Sequence, residues 1–186
     1  MILKQRDIMI DLETLATGPD SVILTIGALR FDPYSNDSSV DVHDMPHFYC
    51  RIDPGSFDYP EAEINDETMA WWGRQSPEAQ EAAFGEGLER LDIRDALEQL
   101  FSFCRPCDRV WANGPAFDII ILETCARRLG KQWPWQFWQA RDVRTVFKMV
   151  PSLAKRNPSH DALDDCWRQA VDLQYCLREL KVSKMD

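Results

Sequence analysis

Residues 8–13 read IMIDLE, three apolar residues followed by Asp11, Leu12 and Glu13. In a strand, residues two apart share one face, so Asp11 and Glu13 project side by side from the end of a hydrophobic strand. Like charges so placed repel unless something positive sits between them. The stretch is therefore either a solvated strand end or one half of a cation-binding edge. In the second case the rest of the chain must supply the other half.

The segment VILTIGALRF at 22–31 reads as a long strand ended by Asp32 and Pro33. HFYCRI at 47–52 reads as a third strand, closed by Asp53, Pro54 and Gly55. Short connections between the three predict an antiparallel meander. Helical pieces follow around DETMAWWGRQ and SPEAQEAAF. In LDIRDALEQLFSFC the residues Ile93, Ala96, Leu97, Leu100 and Phe101 form a helical stripe. DRVWAN is a short buried-type strand, after which Asn113–Gly114 turns the chain and Pro115 suits the first turn of a helix. That helix is expected through AFDIIILETCARRLG, stopping at Gly130. A strand near 136–141, a short helix at RTVFKM and a last helix over DALDDCWRQAVDLQYCLREL complete the order. A meander followed by β-α units predicts an α/β fold, a mixed sheet with helices on its faces. With no repeat or linker in 186 residues, the simplest organisation is one domain over 1–186.

The formal net charge of −10 argues against a protein that coats nucleic acid through a wide basic surface. It does not argue against an enzyme that meets phosphates through bound metal ions, because carboxylates are what hold such ions. No apolar run approaches the length of a membrane span, and the first residues reach Asp11 too soon to hold a signal peptide. A cytoplasmic protein with no membrane partner is expected, its six cysteines free thiols. Cys104 and Cys107 form CRPC, with His43 and His47 as conceivable further zinc ligands. There is no second CxxC, however, and Pro46 breaks any helix that would present both histidines.

Two further segments answer the acidic strand. Asp118, Leu122, Cys125 and Leu129 fall on one helical stripe; three are apolar and face the sheet, and Asp118 heads the same buried line. If the first strand is a parallel neighbour of DRVWAN, Asp118 comes close to Asp11 and Glu13. In SHDALDDC at 159–166, His160 and Asp165 lie about 140° apart on an ideal helix. Pro158, Ser159 and Asp161 as N-cap place His160 in the preceding loop, where its ring leans over the first turn. Hard oxygen donors in this number suit Mg²⁺ or Mn²⁺. Two such ions clamp the attacking and leaving oxygens of an in-line phosphoryl displacement, and a neutral imidazole can take the proton of the attacking water.

On these residues the chain resembles the DEDD superfamily of 3′–5′ exonucleases, in the subgroup whose motifs include histidine. DIMIDLET is similar to the first motif, NGPAFDIIIL to the second, and HDALDD to the His-x₄-Asp of the third. IDLETLATGPDSVILTIGALRFDP and WANGPAFDIIIL most resemble the exonuclease-VIII-type and mycobacterial exoribonuclease-like group. The resemblance implies an RNase-H-like mixed five-stranded sheet and metal ligands at Asp11, Glu13, Asp118 and Asp165. It also implies His160 as general base, two Mg²⁺ or Mn²⁺ ions, and release of 5′-monophosphates from the 3′ ends of single-stranded RNA or DNA. An RNase-H-like endonuclease and a non-catalytic nucleic-acid-binding module are the alternatives. Asp164 and Asp165 flank the apolar stripe Leu163, Cys166, Trp167, Ala170, Leu173 and Leu177 about equally. The helical wheel does not choose between them; the family spacing selects Asp165.

Candidate substrate contacts are Thr14 and Leu15, directly after the acidic pair, with Trp72 and Phe117. Trp71 and Trp72 cannot share one helical face, and Trp72 is the one expected to stack on a base. Trp133, Trp135 and Trp138 are expected to fill the far side of the sheet or an oligomer contact, in keeping with a homodimer. Arg141 and Asp142 are expected to pair near the site.

Overall fold

In the computed structural model, which describes residues 5–35, 44–87, 89–154 and 159–183, strand β1 spans Asp7–Thr14. Its alternation separates two faces. Ile8, Ile10 and Leu12 enter one apolar cluster, whereas Met9 enters another on the opposite side, the side that also receives Asp11 and Glu13. β2 (Ile23–Phe31) pairs antiparallel with β1 and is buried along its whole length. β3 (His47–Arg51) pairs antiparallel with β2, which completes the expected meander.

β4 (Arg109–Ala112) lies parallel to β1 on its other edge, and β5 (Ala140–Asp142) parallel to β4. The sheet order is therefore β3-β2-β1-β4-β5, mixed as the strand pattern predicted and five-stranded as the family resemblance implied. The segment expected as a strand near 136–141 is shorter and later. Gln136 and Gln139 cap one another across a 3-10 turn at Phe137–Gln139, and only then does the chain extend.

Helix α1 (Asp66–Trp72) is capped by Asn65, whose side chain accepts from the N–H groups of Glu67 and Thr68. Helix α2 (Pro77–Phe84) is capped by Ser76 and opens with proline, which gives up no useful donor there. Trp72, Ala79 and Ala83 bury a small third cluster with Leu15, Val22 and Leu24 beyond the end of β1. Helix α3 (Ile93–Phe103) turns its predicted stripe inward, all five residues buried. Together with α4 (Asp118–Arg128) it covers the sheet face of Ile8 and Ile10. Helices α5 (Val143–Lys148) and α6 (Ala162–Glu179) cover the other face.

Gly27 of β2 sets how closely α6 approaches. A Cβ there would lie 2.4 Å from the backbone carbon and oxygen of Ala162, so only glycine lets the first turn of α6 rest on the sheet. Gly27 is the register partner of Asp11, and this close approach brings the start of α6 over the acids of β1.

A buried cation organises the far end of the sheet. Arg30, buried in β2, donates to the carbonyl oxygens of Phe103, Pro106 and Gln5, so a buried cation is satisfied entirely by backbone. The CRPC segment is thereby fastened to the sheet. Its thiols are free and burial pushes Cys107 up to about 12, which makes it a poor nucleophile. His43 lies outside the described residues. Among the described residues neither cysteine belongs to a cluster able to hold a metal, and no helix is long and apolar enough to cross a membrane.

Candidate active site

β4 pairs with β1 only at residues 7–9. Past Met9 that edge of β1 has no strand neighbour among the described residues, and the gap is filled from α4. The Leu12 N–H donates to Asp118 Oδ1 at 3.1 Å. Asp118 is the first residue of α4, and Phe117 before it supplies no side-chain cap. Gly114, at φ +114°, makes the turn that aims this helix at β1. Asp118 is thus a buried cross-link from helix start to strand edge. It stands beside Asp11 and Glu13, as the parallel placement of the two strands implied.

The loop before α6 brings the remaining groups. Asp161 caps the helix through the N–H groups of Leu163 and Asp164, the role assigned to it from sequence. His160 adopts the left-handed conformation at φ +60°, one that few residues other than glycine, asparagine, aspartate and histidine visit. The N–H groups of Ser159 and His160 donate to the two carboxylate oxygens of Asp165 at 3.1 and 3.0 Å. The acid therefore holds in place the loop that carries the imidazole. His160 Nδ1 lies 3.9 Å from Glu13 Oε1. Glu13, His160 and Asp165 offer ligand atoms within 4.8 Å of one another.

Asp164 turns away and pairs with Arg168 at 2.8 Å. The helical wheel left this choice open because it counted Leu163 and Trp167 as core. Both are only half-buried, whereas Ala162, Asp165, Cys166, Gln169, Ala170 and Leu173 are buried. The true stripe is rotated toward Asp165.

Burial and mutual repulsion dominate the electrostatics. Glu13 is pushed up to about 8 by burial first and then by Asp165, Asp118 and Asp161. Asp118 is pushed up to about 7 by burial, against the Leu12 N–H and the Arg144 guanidinium. Asp11 is raised well above the usual carboxylate range by burial and by the three other acids, although Gln169 Nε2 donates to its Oδ1 at 2.8 Å. Carboxylates gathered in this way, with no lysine or arginine ion-paired to them among the described residues, form a site that bound positive charge would complete. The all-oxygen majority of the donors fits a hard divalent ion. His160, by contrast, is lowered by burial, opposed by Asp165, so its ring is neutral near pH 7.

A cavity of about 750 Å³ opens over these groups, lined by Asp11, Glu13, Asp118, His160 and Asp165 among others. A second, of about 480 Å³, adjoins it across Leu12, Glu13 and Phe117, and has Thr14, Asn65 and Trp71 in its wall.

Here the tryptophan expectation is reversed. Trp72 is 2% exposed and its indole N–H donates to the Thr14 carbonyl at 2.9 Å, so it is core and has no free face for a base. Trp71 is the one at the cavity, its ring edge-on to His160 at 4.8 Å. Leu15 likewise packs inside with Val22 and Leu24; Thr14 and Phe117 do line the cavity. Trp135 is core, its N–H bonded to Glu123 at 2.8 Å, and Trp133 packs partly buried. Trp138 is 60% exposed.

Arg141 and Asp142 do not form the expected pair. Arg141 donates to the carbonyls of Trp138 and Ala140, and Asp142 caps α5. Sequence reasoning missed Gln169, although it lies four residues after Asp165 and so shares its face. It also missed Arg144 and Gly27, which become visible only once α5 and α6 are placed on the sheet.

A mixed sheet in the order β3-β2-β1-β4-β5, with acids at the end of β1 and at the starts of α4 and α6, is the RNase-H-like architecture of the DEDDh nucleases. The fold is shared by the nuclease domain of 3′hExo, a DEDDh family member solved with rAMP. The TM-score is 0.60 at 12% identity, covering 93% of this chain and 92% of that one. The RNase domain of yeast Pop2 gives 0.57 at 13% identity, covering 97% and 79%.

Residues 6–177 match the model of the 3′-5′ exoribonuclease Rv2179c-like domain, and the chain belongs to that family. It is also 24% identical over 207 residues to the exodeoxyribonuclease of Enterobacteria phage T4, spanning 92% of this chain and 89% of the relative. The protein is a metal-dependent 3′–5′ exonuclease with a nucleic-acid substrate.

Proposed function

We propose that the protein removes nucleotides stepwise from the 3′ ends of single-stranded RNA or DNA, using two Mg²⁺ or Mn²⁺ ions held by Asp11, Glu13, Asp118 and Asp165. The observation that carries this reading is the convergence of four carboxylates and one neutral histidine on a single cavity. Bound divalent ions would supply Lewis-acid stabilisation of charge on the phosphate oxygens and a more acidic water.

The chain's own residues do the rest. The His160 ring, neutral at working pH, accepts the proton of the attacking water. Asp165 fixes the histidine's backbone through the 159 and 160 N–H groups, and Gln169 orients Asp11. Trp71, Thr14 and Phe117 line the adjoining cavity, whose size and mixed lining suit a terminal nucleoside. Six free thiols support a reducing, cytoplasmic setting.

The test is a pair of matched 5′-labelled RNA and DNA oligomers incubated with Mg²⁺ or Mn²⁺ and read as a ladder. Stepwise shortening that stops in EDTA is expected, and the two ladders rank RNA against DNA. Full activity in excess EDTA, or cutting of a closed circular strand, would refute the reading.

A further inference from the structure

The acidic floor of the larger cavity faces a cationic lip that has no role in the chemistry described above. α5 carries Arg144 and Lys148 four residues apart, hence on one face. Both line the cavity and both are exposed. Arg144 is held in place: its Nε donates to Asn113 Oδ1 at 3.2 Å and its Nη2 to the Asn113 carbonyl at 2.6 Å. Beneath it lies Gly114, where a Cβ would come within 3.3 Å of Nη2 and 3.4 Å of Cζ. The turn that aims α4 at the acids therefore also makes room for a guanidinium above them. Arg168, paired with Asp164, stands on the same cavity from α6.

The two cavities meet at Glu13, so a scissile phosphate over the acids lies between them. If the terminal nucleoside occupies the cavity of Trp71 and Phe117, the rest of the strand leaves across the larger one. Its next phosphates then pass the lip. On a protein of formal charge −10, a strand needs fixed cations along that path, because bound ions neutralise only the floor. We infer that Arg144 and Lys148 form a subsite for the phosphates upstream of the scissile bond, which makes the enzyme selective for strands over isolated phosphodiesters. The inference rests on the exonuclease reading above and specifies which part of the substrate the cavity grips.

Two substrates separate the possibilities. A single-stranded oligonucleotide of eight nucleotides has upstream phosphates, whereas the p-nitrophenyl ester of thymidine 5′-monophosphate has the scissile phosphate alone. Both are assayed with Mn²⁺ on the parent, Arg144→Gln, Lys148→Gln, the double variant and Arg144→Lys, each confirmed folded by thermal melting. The ratio of kcat/KM on the oligonucleotide to that on the ester should fall about tenfold or more in the double variant, chiefly through the oligonucleotide KM, with Arg144→Lys in between.

The slope of log(kcat/KM) on log salt for the oligonucleotide should also become shallower, by about 0.7 per cation removed for a single strand. Equal losses on both substrates would make Arg144 part of the chemistry or of the scaffold and overturn the subsite. An unchanged ratio and slope would overturn it as well. A parent that cleaves neither substrate would instead sink the exonuclease reading, and this inference with it.

Discussion

Glu13→Gln should make the metal-free protein more stable at alkaline pH while weakening its response to metal. Glu13 is 8% exposed, and burial with the neighbouring acids pushes it from 4.5 up to about 8. Between those two values the folded protein retains a proton that the unfolded chain has released. Stability therefore falls as pH rises through that window and is unpenalised below it. Each tenfold change in proton affinity between the two states corresponds to about 1.4 kcal/mol. Screening at an effective dielectric of about 20 and repacking around the charge reduce the full value, which leaves on the order of 1–3 kcal/mol near pH 8. Glutamine keeps the shape and cannot ionise, so it removes this penalty.

The assay is thermal unfolding in EDTA at pH 8 and at pH 4.5. At about 2–4 °C per kcal/mol for a chain of this size, the variant should melt about 2–12 °C above the parent at pH 8 and level with it at pH 4.5. Added Mn²⁺ should reverse the order at pH 8, since an ion bound only by the folded state stabilises by mass action and the variant lacks a ligand. A variant no more stable than the parent at pH 8, or a gain of equal size at pH 4.5, would show that the acids are not in conflict and that the case for a cation-completed site is wrong.

Asp165→Asn should lose nearly all hydrolysis and part of the Mn²⁺-dependent gain in Tm, whereas Asp164→Asn stays within a few-fold of the parent; the reverse ranking at saturating Mn²⁺ would overturn the assignment. His160→Ala should lower kcat by about 10²-fold and keep the Mn²⁺ gain, because the ring is assigned as a base. The parent's rate should drop on acidification only below the ordinary imidazole range, since burial lowers His160; a variant that retains this acidic limb would show that another group titrates. Trp72→Ala should destabilise by about 3–5 kcal/mol as a core truncation, while Trp71→Ala should melt near the parent and raise the oligonucleotide KM. Both are read from melts and steady-state kinetics, and exchanged outcomes would return stacking to Trp72.

The parts of this molecule legible in its sequence are those governed by local periodicity. The alternation of β1, the helical stripe of α3 and the Asp161 cap of α6 each follow from spacing alone. Asp118 could also be singled out, because a carboxylate on an otherwise apolar helical line needs a reason. What the sequence left open, or assigned wrongly, were choices between adjacent residues. Asp164 against Asp165 and Trp71 against Trp72 both turn on a rotation of the buried stripe, and that rotation is set by a partner in another element. For α6 the partner is Gly27, far earlier in the chain, whose missing Cβ fixes how the helix lies. For α1 it is the Thr14 carbonyl, which takes the Trp72 indole N–H. Arg144 escaped for a different reason. An exposed arginine on a six-residue helix has no local mark, and it gains meaning only when Asn113 and Gly114 are beneath it.

The raised acids and the lowered histidine follow from one arrangement. Burying the end of β1 under α6 desolvates Asp11, Glu13, Asp118 and His160, which disfavours charge on each of these four. For the carboxylates this opposes what metal binding requires, and the conflict is relieved only by a bound cation. For His160 the same desolvation favours the neutral ring that a base must have. A looser, wetter site would bring the acids back toward their ordinary range and the histidine back up, and so weaken the pull for metal and the supply of base together. The close contact at Gly27 therefore serves both functions. It also explains why a site that works against folding is built from three elements already fixed by the sheet: a strand edge, a helix start cross-linked to it at Leu12, and a loop tied down by Asp165.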